Sequence, residues 1–281
     1  MTQVNFPSTY TFEHWGTPGK SAVHFLHANS FCASMYHDFL SPLFPDYDVW
    51  ALEIPGHGKS DWPGTIDKWE DLADYFIDYL DTSEIPKPLM GIGHSIGGVV
   101  TLFAAVMRPD LFSNIILLDP VILPAKILMK VRLARFFHFE HASPLIQKAK
   151  RRKRSFPDRE AAIDHYRKKR AFRDWQPGIV EAYVDGGFKT QSNGSLEISC
   201  APELEASIYR SLPTNVRKYE KKLHTPTLVL AGKNSDTLFP VVQHRLKKLE
   251  QWVKVEQVPG SHLFPFENPG AAMEQILEFI K

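Results

Sequence analysis

Short apolar runs alternate along this chain with segments in which apolar residues recur every three or four positions. The runs have the length of buried strands, and the periodic segments indicate helices. The predicted strands are residues 9–15, 21–27, 47–53, 88–92, 114–118, 227–231 and 253–258. The predicted helices are residues 35–44, 69–80, 96–107, 240–249 and 270–280. This alternation predicts an α/β fold with a mostly parallel central sheet and helices on both faces.

The pattern changes between residues 121 and 222, where helical, basic and aromatic stretches dominate and no comparable strand is visible. Residues 121–220 hold 20 Lys+Arg and 11 Asp+Glu, whereas the whole chain has a net charge of +1. We therefore expect a core formed by residues 1–120 and 223–281, with residues 121–222 inserted as a helical cap. The aromatic residues of the insertion are expected to form mostly its own core. They are Phe136, Phe137, Phe139, Phe172 and Trp175.

Composition limits the possible classes of protein. The chain has 281 residues, 43% of them hydrophobic and 23% charged, which is ordinary for a soluble globular protein. No apolar run approaches the roughly 18 residues needed to span a membrane, and the first five residues do not resemble a signal peptide. Two cysteines provide no disulfide framework. A cytoplasmic protein is expected, and the oligomeric state stays open.

Residues 93–97, Gly-His-Ser-Ile-Gly, lie between a predicted strand and a predicted helix. A strand, a sharp turn and a helix with a serine at the apex form a nucleophile elbow. The glycines two positions before and after Ser95 are expected because a Cβ atom there would collide with neighbouring backbone. The sequence therefore predicts Ser95 as a nucleophile at a helix N-terminus, where backbone N–H groups favour negative charge.

A serine hydroxyl needs a nearby base, and the base needs a third group that orients it. His262 follows the predicted strand 253–258, and Asp236 follows the predicted strand 227–231. Asp119, at the end of strand 114–118, is the competing candidate for the acid. Because the carboxyl ends of parallel strands meet at one edge of a sheet, all of these side chains could converge there.

With these motifs, and with His-Ala-Asn-Ser at 27–30 and Gly-His-Gly-Lys-Ser at 56–60, the chain resembles α/β-hydrolase-fold serine esterases and lipases that carry an inserted cap. The order of Ser95, Asp236 and His262 is the order that the resemblance implies, and for that reason we favour Asp236 over Asp119. In the family, the loop that corresponds to residues 27–30 commonly begins His-Gly, whereas in this chain it begins His27-Ala28.

The resemblance implies acyl transfer in two steps, with hydrolysis of a carboxylic ester by an acyl-enzyme route and without a cofactor. The oxyanion would be held by the backbone N–H groups of Ile96 and Asn29. The aromatic cap suggests small to medium apolar acyl groups. The same residues would also serve a thioesterase or a carbon–carbon bond hydrolase, and some proteins of this fold bind a small molecule without turnover.

Two other patterns suggest chemistry that we do not favour. His138-Phe139-Glu140-His141 offers ligand types for a metal, but its spacing is weak evidence, and no metal is predicted. The run at 148–154, Lys-Ala-Lys-Arg-Arg-Lys-Arg, could contact nucleic acid or anionic lipid. A solvated helix face is its commoner explanation, so no nucleic-acid partner is expected. Cys32 is expected to pack as a small apolar side chain.

Overall fold

Residues 6–281 are described by a computed structural model, so the expectation about a signal peptide in residues 1–5 lies outside the described residues. The strands are β1 (Phe12–Gly16), β2 (Ser21–Leu26), β3 (Tyr47–Leu52), β4 (Leu89–His94), β5 (Phe112–Leu118), β6 (Ser155–Phe156), β7 (Phe188–Thr190), β8 (Leu196–Ile198), β9 (Thr227–Gly232) and β10 (Val253–Val258). The helices are α1 (His37–Leu40), α2 (Trp69–Thr82), α3 (Ile96–Met107), α4 (Ala125–Phe136), α5 (Pro144–Lys150), α6 (Arg159–Arg167), α7 (Ile179–Gly187), α8 (Pro202–Arg210), α9 (Val216–Glu220), α10 (Pro240–Lys247), α11 (Phe264–Glu267) and α12 (Pro269–Phe279). Short 3₁₀ turns lie at Ala33–Tyr36, Ser41–Leu43, Pro109–Leu111, Glu140–Ala142 and Arg170–Phe172.

Seven strands form the central sheet in the order β1-β3-β2-β4-β5-β9-β10. Only the pairing of β1 with β3 is antiparallel among these seven described strands, and the remaining neighbours are parallel. The predicted α/β class and mostly parallel sheet are therefore confirmed. The strand order places β4, β5, β9 and β10 side by side, so the loops that follow them share one edge of the sheet.

The predicted elements of the sheet differ from the observed ones mainly at their ends. The predicted helix 96–107 and strand 253–258 have the observed bounds of α3 and β10. The predicted first strand begins at Phe12 rather than at residue 9. The predicted helix 35–44 is instead broken into α1 and two flanking 3₁₀ turns, with Pro42 inside the second turn. Proline lacks the N–H that a continuing helix would need.

The sheet is buried on both faces by separate apolar clusters. Phe76 of α2 and Phe103 of α3 pack on one face, and Phe25 and Phe264 belong to the cluster on the other. Parallel strands need this double cover because their side chains point alternately to the two faces. The sheet edge that carries the functional loops is thus built on a rigid layer.

Residues 121–222, predicted to be a helical insertion and called the inserted segment below, are not purely helical. Helices α4 to α9 are accompanied by a second sheet in the order β6-β8-β7, in which both pairings are antiparallel. These strands are two or three residues long, too short for a pattern of apolar residues to reveal them. The predicted boundaries of a separate cap domain stay a prediction.

The aromatic residues of the inserted segment fall into two groups. Trp175 is buried and Phe172 packs against it with ring centroids 4.2 Å apart, as expected for a core. The expectation was wrong for three others, because the side chains of Phe136, Phe137 and Phe139 are 76%, 58% and 68% exposed. Helix α4 has no buried residue, so it and the turn after it present apolar side chains to solvent.

His24 of β2 is a buried titratable side chain with no recorded partner. Neither ring nitrogen has a hydrogen bond within the described residues, and the ring packs 4.5 Å from that of Phe76. Burial lowers the pKa of His24 from 6.5 to about 3, because the apolar surroundings disfavour the charged imidazolium. The folded protein therefore holds this histidine neutral under acidic conditions in which an unfolded chain would protonate it.

We expect His24→Leu to reduce the loss of stability in acid. Between pH 6.5 and about pH 3 the unfolded chain binds a proton at residue 24 that the folded chain does not. The free energy of unfolding of the unsubstituted protein therefore falls as pH falls through this window, by about 2–3 kcal/mol at pH 4.5 from this residue alone. Urea unfolding at pH 7.5 and pH 4.5 measures the difference. His244→Leu, at an exposed position of α10, is the control, and equal acid losses in both variants would contradict the prediction.

Candidate active site

Ser95 lies at a sharp turn between β4 and α3. Its backbone has φ 58° and ψ −115°, a region that non-glycine residues rarely adopt. The turn requires glycine at positions 93 and 97. A Cβ atom on Gly93 would lie 2.4 Å from the Gly97 carbonyl oxygen, and a Cβ atom on Gly97 would lie 2.3 Å from the Leu26 carbonyl oxygen. The predicted elbow is therefore observed, with the two glycines in the steric role expected of them.

The side chains of Ser95, His262 and Asp119 form a continuous hydrogen-bonded chain. The His262 Nε2 atom lies 2.9 Å from the Ser95 Oγ atom, and its Nδ1 atom lies 2.7 Å from an oxygen of the Asp119 carboxylate. A carboxylate can only accept, so Nδ1 carries the hydrogen and Nε2 is free to accept from the serine hydroxyl. This arrangement can deprotonate a serine during attack on a carbonyl.

Asp119 is fully buried at the end of β5, where its backbone has a positive φ of 43°. Besides His262, its carboxylate accepts hydrogen bonds from the Gly232 N–H group at 3.0 Å and from the Ser235 hydroxyl at 2.6 Å. A buried charge is tolerable only with such partners. Three donors from two segments, the end of β9 with its turn and the loop after β10, therefore fix the carboxylate with one oxygen toward the imidazole.

The structure corrects the preference for Asp236 as the acid beside His262. Asp236 is exposed, and its recorded side-chain hydrogen bond is a 3.4 Å contact with the Thr237 hydroxyl. In the turn after β9 the Ser235 N–H donates to the Gly232 carbonyl. That turn directs the side chain of Ser235 toward the acid position and leaves Asp236 exposed at the cavity, with no recorded hydrogen bond to His262.

The loop after β2 approaches the same site. Asn29 of this loop and Ile96, the first residue of α3, line one cavity with Ser95. The His27 ring braces the loop, because its Nδ1–H donates to the Ala28 carbonyl at 2.8 Å and its Nε2 accepts from the Ile54 N–H at 2.9 Å. The backbone N–H of Ile96 has no acceptor inside its own helix. The oxyanion role of Asn29 and Ile96 stays a prediction.

A second network, not predicted from the sequence, fixes the backbone at His262. The His94 Nε2–H donates to the His262 carbonyl at 2.9 Å, and the Tyr36 hydroxyl donates to His94 Nδ1 at 2.7 Å. Burial lowers the pKa of His94 well below 6.5 and raises the pKa of Tyr36 above 10, so His94 stays neutral and Tyr36 protonated. These contacts give His94 a structural hydrogen-bonding role.

Glu267 anchors the other side of the His262 loop. Its carboxylate accepts from the Ser261 N–H at 2.6 Å and from the Ser261 hydroxyl at 2.5 Å. The contact joins the residue before His262 to the end of α11. Nothing in the pattern of the sequence distinguished Glu267 from other acidic residues near a helix.

Ser95 and His262 open into a cavity of about 1920 Å³, whereas Asp119 is buried and does not line it. Its floor includes Ser95, His262 and the 28–31 loop, and the inserted segment supplies much of its wall. On the inner face of α4, Ile127, Val131 and Ala134 line the cavity. The volume exceeds the roughly 300–1,000 Å³ of ordinary ligand pockets.

Cys32 directly follows the 28–31 loop, and its side chain is fully buried. Burial raises the pKa of its thiol to about 12, so the thiol is protonated at neutral pH and is a poor nucleophile. Among residues 6–281 no group of three or more His, Cys, Asp and Glu side chains is arranged to hold a metal ion. Within the same residues no helix has the length and apolar character of a membrane span.

Comparison with known proteins agrees with this architecture. The profile of the alpha/beta hydrolase family matches residues 25–276, and the chain belongs to that family. An (E)-2-(acetamidomethylene)succinate hydrolase structure covers 96% of this chain and is itself covered to 94%, with a TM-score of 0.76 at 19% identity. A thioesterase domain from the curacin biosynthetic pathway covers 98% and is covered to 100%, with a TM-score of 0.76 at 18% identity.

Relatives in sequence match only parts of the chain. The uncharacterized hydrolase YugF of Bacillus subtilis is 32% identical over 38% of this chain and 39% of its own length. Monoglyceride lipase of Rattus norvegicus is 29% identical over 48% of each chain. The type I acyl-CoA thioesterase mpaH' of Penicillium brevicompactum is 49% identical over 27% of this chain and 18% of its own. These matches support a hydrolase and leave its substrate open.

We expect Asp119→Asn to lower kcat for ester hydrolysis by about 10⁴-fold, since an amide in place of the carboxylate no longer holds the imidazole in the required tautomer. Asp236→Asn should leave kcat nearly unchanged, because its carboxylate has no recorded hydrogen bond with His262. Initial rates with a chromogenic ester measure both. Urea unfolding verifies that the Asp119→Asn protein is folded, and the opposite ranking of the two variants would contradict the assignment of the acid.

Proposed function

We propose that the protein is a serine hydrolase that cleaves carboxylic esters or thioesters through an acyl-enzyme intermediate. The observation that carries the proposal is the hydrogen-bonded chain of Ser95, His262 and Asp119 at the floor of a large cavity. The chain's membership of the alpha/beta hydrolase family supports a hydrolytic reaction. The partial likeness to a monoglyceride lipase and to an acyl-CoA thioesterase supports acyl substrates of both kinds.

In the first step the Ser95 Oγ atom attacks the carbonyl carbon of the substrate while His262 Nε2 takes the hydroxyl proton. Asp119 keeps the hydrogen on Nδ1 and stabilises the imidazolium that forms. The developing oxyanion is assigned to the N–H groups of Asn29 and Ile96, and each such donor is worth about 10²- to 10³-fold in rate. His262 then gives its proton to the leaving alcohol or thiol as the bond to the acyl carbon breaks.

In the second step water replaces the leaving group. His262 removes a proton from the water as its oxygen attacks the acyl carbon, and the proton passes to Ser95 Oγ when the ester bond to the enzyme breaks. The products are a carboxylic acid and the free enzyme. The half-buried position of His262, whose side chain is 21% exposed, is compatible with entry of water to the imidazole.

The acyl group is assigned to the part of the cavity under α4. Ile127, Val131 and Ala134 of this helix offer apolar side chains, and Ile208 of α8 also lines the cavity. Burial of each methylene of an acyl chain against such side chains contributes about 0.8 kcal/mol. In this proposal the inserted segment acts as a cap that selects acyl groups of small to medium length.

We expect sustained hydrolysis of p-nitrophenyl esters, with kcat/KM that rises from acetate to a medium-chain ester and then falls. Ser95→Ala should reduce kcat by about 10⁶-fold, because loss of the nucleophile removes the joint action of all three residues. Ser192→Ala, at an exposed position between β7 and β8, is the matched control and should keep full activity. Stoichiometric binding of esters without turnover would instead indicate a receptor and refute the proposal.

A further inference from the structure

The wall of the cavity carries more positive than negative side chains. Nine arginine and lysine residues line it, against five aspartate and glutamate residues. A cleft with an excess of one sign of charge attracts ions of the opposite sign. The remaining question is how many of these cations the protein already neutralises.

Two of the nine cations are paired with carboxylates, and a third donates to backbone carbonyl groups. Arg152 bonds to Glu205 at 2.7 Å, and Arg135 donates to the backbone carbonyl of Leu212 at 2.7 Å. Arg210 lies 3.6 Å from Asp67. Arg152 is half-buried and faces inward, so the expectation that the whole basic run 148–154 is a solvated helix face was wrong for this residue.

Apart from Arg135, six cavity cations have no recorded ion pair with a carboxylate within residues 6–281. They occupy two short stretches, one at the end of α5 and just beyond it, the other at the turn that follows α6. We call these six side chains the basic rim: Lys148, Arg151, Lys153, Lys169, Arg170 and Arg173. Like charges gathered around one cavity repel one another, and an anion between them removes that repulsion.

We propose that the basic rim binds an anionic group of the substrate while Ser95 attacks the substrate's acyl carbon. This inference rests on the proposed hydrolase function and adds the chemical class of the substrate: an ester or thioester that carries phosphate or carboxylate groups away from the bond that is cleaved. The planar guanidinium group of an arginine can donate two parallel hydrogen bonds to a phosphate or to a carboxylate. The 1920 Å³ of the cavity leaves room for such a group beside the acyl chain.

The anion could belong to the leaving group or to the acyl group, and two substrate pairs distinguish these cases. Butyryl-coenzyme A and the butyryl thioester of N-acetylcysteamine share the same scissile bond, but only the former carries phosphates. The p-nitrophenyl monoester of glutaric acid and p-nitrophenyl valerate differ mainly by a terminal carboxylate on the acyl chain. For at least one pair we expect kcat/KM to be about tenfold or more higher for the anionic member, which corresponds to about 1.4 kcal/mol.

Arg170→Gln/Arg173→Gln should then lower kcat/KM for the preferred anionic substrate by about tenfold, mainly through a higher KM, and leave its neutral partner unchanged. Lys247→Gln/Lys248→Gln removes the same charge at exposed positions at the end of α10 and should affect neither substrate. Raising the salt concentration should reduce the preference in the unsubstituted protein. The neutral substrate also reports whether the rim variant is folded.

Equal rates within both pairs, or equal losses on the anionic and neutral substrates in the rim variant, would overturn the basic-rim proposal. Binding of free coenzyme A and of glutarate to Ser95→Ala, measured by calorimetry, separates this outcome from failure of the hydrolase proposal. If no substrate is turned over, weaker binding after the additional Arg170→Gln/Arg173→Gln change still supports the rim. Turnover without any anion preference supports the hydrolase alone.

Discussion

The buried carboxylate of Asp119 is the interaction on which the candidate site depends. It lies at the end of a central strand and has no exposed surface, so its charge must be compensated locally. The Gly232 N–H, the Ser235 hydroxyl and the His262 ring each supply a hydrogen bond to it. One charge thereby joins β5, the loop after β9 and the loop after β10, and the imidazole is aligned with Ser95 as a result.

Much of this arrangement could be predicted because it follows from local constraints. Gly93 and Gly97 are required because a Cβ atom at either position would lie within about 2.4 Å of a backbone oxygen. The spacing of the two glycines around Ser95 makes this requirement visible in the sequence. The apolar runs of β4 and β9 reveal strands covered on both faces, and the alternation of valines with polar residues in β10 reveals a strand with one buried face. Convergence of the loops after these strands then follows from the parallel sheet. The Ser95 Oγ and His262 Nε2 atoms are 2.9 Å apart.

The identity of the acid could not be predicted in the same way. Asp119 and Asp236 both follow strands of the sheet, and the choice between them depends on which side chain one tight turn directs inward. In that turn Ser235 N–H bonds to Gly232, a contact between residues that have no distinctive pattern. The exposure of Phe136 and the inward position of Arg152 were missed for a related reason, since amino-acid type indicates average burial and not the packing of an irregular segment.

Ser95 and Asp119 are positioned by the central sheet, whereas His262 is positioned by contacts of a loop. The Ser95 N–H donates to the Leu118 carbonyl at 2.9 Å, so residues 95 and 119 are tied by the register of adjacent strands. His262 instead lies in a loop, which Glu267 holds through Ser261 and His94 holds through a carbonyl. The position of the imidazole therefore depends on side-chain contacts between loops, whereas the spacing of nucleophile and acid follows from the pairing of β4 with β5.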